Sequence, residues 1–211
     1  MYSALKDTQA ECLQIYSLLE HYEKKRTAIK NKLHGEKTLG KPSKAVYQSL
    51  NRVLKVLKVE ITLLEQQLVE LVKQEHSSQL KLLKSIPGIG IKTALFLIVV
   101  TNGFSKFETA SQLCSYAGIT PTERRSGTSI RGRSRISKVG NKRLRHLLFM
   151  CSFSACKYNL ACNTQFKRIV AKGKSEKLAL LAVSNKLLRQ SFAIVKSGIP
   201  YDASYCSTLI S

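Results

Sequence analysis

One 25-residue segment, from Pro121 to Arg145, concentrates the residue types that suit chemistry on a polyanion. It carries nine Lys or Arg residues against a single acid, Glu123, together with three glycines and four serines. Guanidinium and ammonium groups bind phosphate through charge and hydrogen bonds. Within the segment, Ser126 lies between Arg125 and Gly127, so its hydroxyl is either a phosphate contact or a nucleophile aimed at a phosphodiester.

A nucleophilic serine needs a base to activate its hydroxyl and positive charge to stabilise the transition state at phosphorus. Five arginines meet the second requirement: Arg124, Arg125, Arg131, Arg133 and Arg135. No base lies near Ser126 in the sequence. The acids of this region, Glu108, Glu123, Glu176 and Asp202, are too dispersed for a two-metal carboxylate cluster, and no metal is expected in this chain.

A second group of cations surrounds Asn141, which is predicted to cap the next helix. The group consists of Lys138, Lys142, Arg143 and Arg145. Cations at a helix start oppose the helix dipole, so we expect phosphate to compensate them, and a solvated basic face is the alternative. Few aromatic residues interleave with these charges, which gives base stacking little support.

A glycine-rich turn, Ile86 to Gly90, lies between two predicted helices and resembles the helix-hairpin-helix DNA-binding motif. Gly88 and Gly90 would let the backbone approach a phosphate, and the free N–H groups of the helix start would meet it. Lys92 adds charge beside the turn. The alternative interpretation is an ordinary tight turn between packed helices.

The elements that must position these residues are predicted to be helices. Residues 3–33 and 43–78 carry apolar residues at three- and four-residue steps, separated by a break at Gly35, Gly40 and Pro42. The second stretch has two heptad positions, occupied by Tyr47, Leu54, Ile61 and Leu68 and by Leu50, Leu57, Leu64 and Leu71. The pattern predicts an antiparallel helical hairpin that is either a dimerisation or spacing arm or a purely intramolecular pair.

The rest of the chain is also predicted to be helical. The expected helices cover residues 80–85, 91–100, 104–117, 141–155, 164–171 and 175–196. Because strand-like alternation is almost absent, the fold class is mainly α: a long antiparallel coiled-coil hairpin followed by a compact helical domain. The expected parts are the arm at 1–78, a DNA-binding domain at 79–202 and a tail at 203–211.

Charge narrows the class of partner. The formal net charge is +22, and residues 76–211 hold 22 Lys or Arg against four acids, which favours DNA or RNA. The longest apolar run, 94–100, is too short to span a bilayer, and a cytoplasmic, nucleoid-associated location without membrane contact is expected.

The six cysteines form no CxxC pair and are interpreted as reduced, mainly buried thiols. A basic protein of ribosome-associated type is a further alternative.

Several motifs in order carry a resemblance to a known family. They are Ile86-Pro87-Gly88-Ile89-Gly90, Phe107, the run from Tyr116 to Pro121, Ser126-Gly127, the run from Ile136 to Asn141, Leu144-Arg145, Lys186-Leu187-Leu188 and Tyr201. Over residues 79–202 the chain resembles the C-terminal domain of the DEDD insertion-sequence transposases of the IS one-ten class, which are related to Piv-type DNA invertases. The helical hairpin also resembles the coiled-coil arm of these enzymes.

The resemblance implies a DNA recombinase with two cooperating parts. A RuvC-like nuclease domain holds magnesium through four acids, and the C-terminal domain supplies a serine that becomes covalently linked to DNA. On this chain that serine is Ser126, with Ser129 and Ser154 as fallbacks. The implied partners are the DNA of the element and its target and a structured bridge RNA. Further copies of the chain, joined through the coiled coil, are expected from the heptad pattern.

The sequence departs from this pattern because it begins at the arm. The RuvC-like domain and its magnesium are expected to be missing, since Asp7, Glu11, Glu20 and Glu23 cannot be assigned to it. Two hypotheses follow. One is an incomplete transposase that needs a nuclease-domain partner, and the other is a non-catalytic DNA- or RNA-binding remnant.

Overall fold

The chain is built mainly from α-helices. The structure, a computed structural model, describes residues 7–122, 125–126, 130–131, 135–137 and 139–204. The helices are α1 (Asp7–Leu39), α2 (Lys44–Lys84), α3 (Ile91–Thr101), α4 (Ala110–Ala117), α5 (Lys142–Tyr158), α6 (Leu160–Ala171) and α7 (Glu176–Ser197). Four two-residue strands lie between α4 and α5: β1 (Pro121–Thr122), β2 (Arg125–Ser126), β3 (Ile130–Arg131) and β4 (Arg135–Ile136). The prediction of a mainly α fold is confirmed.

The chain divides into two compact units, Met1–Glu75 and His76–Ser211. Helix α2 runs through the division, and its backbone is non-helical at His76 (φ −129°, ψ 28°). The division therefore coincides with a local interruption of the helix, just before the predicted boundary between residues 78 and 79.

Unit 1 contains two antiparallel helices. Gln67 Nε2 donates to Glu11 Oε1 at 3.4 Å, and at the other end Lys37 Nζ lies 5.5 Å from the centre of the Tyr47 ring. The buried apolar side chains are Cys12, Ile15, Leu19, Ile61, Leu68 and Val72. Two of the eight predicted heptad residues, Ile61 and Leu68, are thus buried, while a coiled coil stays a prediction.

The predicted break at Gly35 is wrong. Helix α1 continues through Gly35 to Leu39 and ends before Gly40 and Pro42. One interior glycine costs a helix only about 1 kcal/mol relative to alanine, so the flanking turns tolerate it.

Unit 2 is organised around α7, which packs against α4, α5 and α6, while α5 also packs against α3. Fully buried residues at these contacts include Leu97, Leu144, Leu148, Val183 and Leu187. With 22 residues, α7 is long and apolar enough to cross a membrane by length and composition. The core helix of a soluble protein can have the same length and apolar composition, so these two properties alone are weak evidence for a membrane span.

The helix predicted at 104–117 is shorter than expected. Asn102 and Phe104 have positive φ angles of 51° and 65°, and the Phe104 N–H donates to Thr101 Oγ1 at 2.9 Å. Helix α4 begins only at Ala110, where Thr109 and Gln112 form a capping box. The predicted end at Gly118 is confirmed. The short helix predicted at 80–85 is present as the part of α2 that follows the non-helical backbone of His76, and it ends at Lys84.

Candidate nucleic-acid interface

The basic segment folds into two antiparallel ladders, one inside the other in the sequence. In the outer ladder Pro121 lies opposite Ile136, and in the inner ladder Ser126 lies opposite Ile130. Ser126 is therefore the last strand residue before the three residues that join β2 to β3. Two-residue strands contain too little alternation for a sequence pattern to reveal them.

The predicted contact residues of this segment differ in how far the structure describes them. Arg124, Ser129, Arg133 and Lys138 lie outside the described residues. The structure places the backbone of four others in the short strands: Arg125, Ser126, Arg131 and Arg135. The described residues on either side of this segment form its base, at the end of α4 and the start of α5.

Tyr116 and the residues before α5 close this base. The Asn141 N–H donates to the Tyr116 carbonyl at 2.8 Å, and Ser137 N–H donates to the Thr120 carbonyl at 3.1 Å. Gly140 has a φ of 128°, and a Cβ at this position would collide with the Tyr116 carbonyl. Only glycine therefore lets the returning chain approach α4 so closely.

Asn141 and Arg145 hold the start of α5 in place. Asn141 Oδ1 accepts from the Leu144 N–H at 2.9 Å, which confirms the predicted helix cap. Arg145 Nη1 donates to the Ala117 carbonyl at 2.9 Å and is half-buried. Both residues thus position the base of the segment, and their predicted contacts with DNA stay predictions.

Lys142 and Arg143 occupy the first turn of α5, which contains no acid. Lys142 is exposed and Arg143 is half-buried. A cation here opposes the partial positive charge of the helix start. The turn is therefore electropositive from both its side chains and its backbone N–H groups, an arrangement that suits an anion.

The two glycines of the Pro87–Gly90 turn have different roles. Gly88 has a φ of 106°, and a Cβ there would lie 2.7 Å from the Ala155 Cβ, so this glycine allows the turn to pack on α5. Gly90 is the N-cap residue of α3, is exposed, and has no neighbour within 4 Å of a built Cβ. Lys92 is exposed one residue into α3. Gly90, rather than Gly88, offers a surface for a phosphate, and the helix-hairpin-helix assignment stays a prediction.

A hydrogen-bond network behind this turn was not anticipated from the sequence. Asn159 Nδ2 donates to the Pro87 carbonyl at 3.5 Å and to Gln190 Oε1 at 3.2 Å. Tyr201 donates its hydroxyl to Asn159 Oδ1 at 3.1 Å and its N–H to Ser85 Oγ at 2.9 Å. Asn159 also caps α6, and this cap is the one local signal that the sequence offers.

Most of the cysteines that the structure describes lie in the protein interior. The five described ones are free thiols, and all except Cys156 are buried. Burial raises the pKa of the Cys162 thiol to about 12, so it stays protonated at neutral pH. Within the described residues, no group of three or more His, Cys, Asp or Glu side chains is arranged to hold a metal ion.

The sequence of this chain is similar to proteins encoded by mobile elements and to proteins that invert pilin genes. The sequence model described as "Transposase IS116/IS110/IS902 family" matches residues 80–167. The chain is 38% identical over 145 residues to the pilin gene-inverting protein of Moraxella lacunata, a match covering 67% of this chain and 45% of that protein. The Moraxella bovis pilin gene-inverting protein is 37% identical with the same coverage.

A third relative comes from an insertion element. The chain is 36% identical over 121 residues to a 43.6-kDa protein of insertion element IS110 from Streptomyces coelicolor, covering 57% of this chain and 30% of that protein. The match to the two Moraxella proteins thus spans just under half of their length.

Proposed function

We propose that this chain, whose residues 80–167 match the sequence model of the IS116/IS110/IS902 transposase family, is the serine-bearing, DNA-binding part of a site-specific recombinase. This match, and the similarity to the pilin gene-inverting protein and the IS110 protein, support a role in DNA transposition or recombination. The observation that carries the finer proposal is the nested hairpin. It presents Ser126 at the closed end of a ladder, in a segment with nine Lys or Arg residues and one acid.

The proposed chemistry is attack by Ser126 on a DNA phosphodiester. The Oγ–P bond forms, the P–O bond to one DNA strand breaks, and the strand end leaves as a hydroxyl after taking up a proton. The hydroxyl proton of Ser126 passes to a base outside the basic segment. Neighbouring arginines stabilise the negative charge that builds up on the phosphorus oxygens.

The magnesium that the resemblance implies does not fit the described residues, which lack a cluster of ligating side chains. It is instead proposed to be held by a nuclease domain outside them, as in a composite site. This chain's own contribution is to bind the strand, orient the phosphodiester and supply the hydroxyl.

Trapping a covalent protein–DNA adduct tests the proposal. The chain is mixed with a full-length family member, magnesium and end-labelled element DNA, and adducts of this chain's size are resolved on a denaturing gel. We expect an adduct that Ser126→Ala abolishes, whereas Ser154→Ala, an exposed serine on α5, preserves it. An adduct that survives Ser126→Ala contradicts the assignment of the nucleophile, as does the failure of any adduct to form.

A second candidate function is non-catalytic binding to transposon DNA or a structured RNA. It is favoured by the charge of residues 76–211, where 22 Lys or Arg face four acids. Binding should weaken steeply with salt, because neutralising phosphates releases counterions. Under this alternative Arg133→Glu with Arg135→Glu weakens binding and Ser126→Ala does not. Parallel titrations with duplex DNA and structured RNA identify the preferred partner.

Self-association through unit 1 is also part of the proposal. Four exposed apolar residues on α2 follow heptad spacing: Val46, Val53, Val56 and Leu63. We expect Val56→Lys with Leu63→Lys to reduce the mass measured by light scattering, while Thr62→Lys, at an exposed polar position on the same helix, leaves it unchanged. A wild-type chain that is monomeric at micromolar concentration would contradict self-association.

A further inference from the structure

Five exposed residues form a continuous stripe along the outer face of α5. They are Lys142, His146, Met150, Phe153 and Lys157, spaced by four, four, three and four positions, which places them on one side of a helix. The opposite side is buried in the core of unit 2 through Leu144, Leu148, Cys151 and Ala155. At 1.5 Å per residue the stripe is roughly 22 Å long.

The centre of this α5 stripe is apolar and aromatic. Met150 is 53% exposed and Phe153 is 51% exposed. Phe153 is supported from one side by half-buried Phe149, with ring centres 5.4 Å apart in an edge-to-face arrangement. The stripe therefore presents a ring whose position is held by packing, instead of an isolated flexible side chain.

The ends of the stripe are cationic. Lys142 and Lys157 flank the apolar centre, and α5 contains no Asp or Glu. Beyond Lys157, the Tyr158 ring is 65% exposed, and the Lys157 Nζ lies 5.2 Å from its centre. The surface thus offers ring faces for stacking and ammonium groups for phosphates.

We propose that the α5 stripe binds unpaired nucleobases of a single-stranded nucleic acid. This inference rests on the proposed nucleic-acid-binding function and assigns it a second kind of contact. A single strand exposes base faces that stack on aromatic side chains, and its phosphates match the flanking lysines. A duplex keeps its base faces stacked inside. Its phosphates can therefore bind the lysines, but its bases cannot stack on the Phe153 ring.

Charge disfavours a second copy of the chain as the occupant of this surface. A two-fold contact would bring the cations of one α5 stripe against those of the other, with no acid on either helix to compensate them. Because residues 76–211 hold 22 Lys or Arg against four acids, the repulsion on this part of the chain extends beyond the stripe. A polyanion with exposed apolar faces is the complementary partner.

Four 20-nucleotide probes test the inference on the full chain: single-stranded DNA containing 2-aminopurine, single-stranded RNA of the same sequence, the matched DNA duplex, and an abasic strand. We expect Phe153→Ala to weaken binding of the base-containing single strands about 5- to 150-fold and to reduce quenching of 2-aminopurine. Binding of the duplex and the abasic strand should change less than about twofold. The DNA and RNA arms distinguish the two sources of unpaired bases.

Two further variants separate stacking from folding and packing. Phe153→Leu keeps apolar volume against Phe149 but removes the ring, so it should weaken single-strand binding as Phe153→Ala does, even where the alanine variant unfolds. Leu178→Ala, which removes a 43% exposed side chain on α7, should have no effect.

Three outcomes overturn the inference: full affinity of Phe153→Leu for single strands, equal losses on duplex and abasic probes, or a changed oligomeric state at unchanged single-strand affinity. A wild-type chain that binds no probe at all contradicts the proposed function itself. Salt-dependent duplex binding, with single-strand binding insensitive to Phe153, contradicts only the role of the α5 stripe.

Discussion

Asn141 makes two hydrogen bonds to Tyr116, a residue 25 positions earlier in the chain. Its backbone N–H donates to the Tyr116 carbonyl at 2.8 Å, and its side-chain Nδ2 donates to the Tyr116 hydroxyl at 3.1 Å. The Phe107 ring packs against Tyr116 with centres 5.3 Å apart. These contacts join the end of α4 to the start of α5. The two ends of the basic segment are therefore held together at its base by hydrogen bonds.

Replacing Asn141 by alanine should loosen this base. The variant loses the cap of α5 and the bond to the Tyr116 hydroxyl, and we expect a fall of about 1–3 kcal/mol in the free energy of unfolding. Urea denaturation measures it. Tyr116→Phe, which removes only the hydroxyl, should cost less than Asn141→Ala, and an equal or greater cost would show that the cap contributes little.

Gly88 and Gly90 should respond in opposite ways to alanine. Gly88→Ala forces a Cβ against Ala155 at a positive φ, and we expect a loss of about 2–4 kcal/mol in the free energy of unfolding. Gly90→Ala meets no atom within 4 Å and has a φ of −82°, so stability should be retained. If Gly90 contacts a phosphate, its alanine variant still melts normally but binds DNA more weakly. Equal stability of the two variants would contradict the packing described for Gly88.

The raised pKa of Cys162 predicts a loss of stability at alkaline pH. The thiol titrates near 9 when unfolded, whereas in the fold burial raises its pKa to about 12. The folded state therefore holds a proton that the unfolded state releases, and this stabilisation is complete below pH 9 and lost as the pH rises toward 12.

Denaturation in reducing buffer across pH 8–11 measures this effect. Cys162→Ala should show a pH dependence that is flatter by about 1 kcal/mol per pH unit above pH 9. Leu160→Ala, an exposed and non-titrating change on the same helix, should keep the wild-type slope. Parallel profiles for wild type and Cys162→Ala would contradict the predicted titration.

Local sequence signals predicted the features that depend on neighbouring residues. The end of α4 at Gly118 and the cap at Asn141 follow from short-range geometry, and both are present. The start of α4 was misplaced because the left-handed backbone at Asn102 and Phe104 is held by the Thr101 hydroxyl and by burial of Phe104 in the core. Apolar periodicity does not report such a contact.

The site was predicted less completely than the fold. The basic residues were identified by composition, but the ladders that order them consist of two-residue strands without a pattern. The sequence analysis did not predict the aromatic surface of α5, because few aromatic residues lie among the cations of the basic segment itself. Phe153 lies eight residues beyond Arg145, and only the helical spacing from Lys142 places it on the same face as the cations.

Lys142 should show opposite effects on binding and on stability. Its exposed charge lies in the first turn of α5, where it opposes the helix dipole. We expect Lys142→Gln to raise the free energy of unfolding by about 0.3–1 kcal/mol at low salt. If Lys142 contacts a phosphate, the same change weakens duplex binding and lowers the slope of log affinity against log salt by about 0.9. Lys174→Gln, an exposed lysine between α6 and α7, is the matched control and should leave both quantities unchanged. A Lys142→Gln variant that is less stable than wild type, with an unchanged salt slope, would show that this lysine serves the fold and not a phosphate.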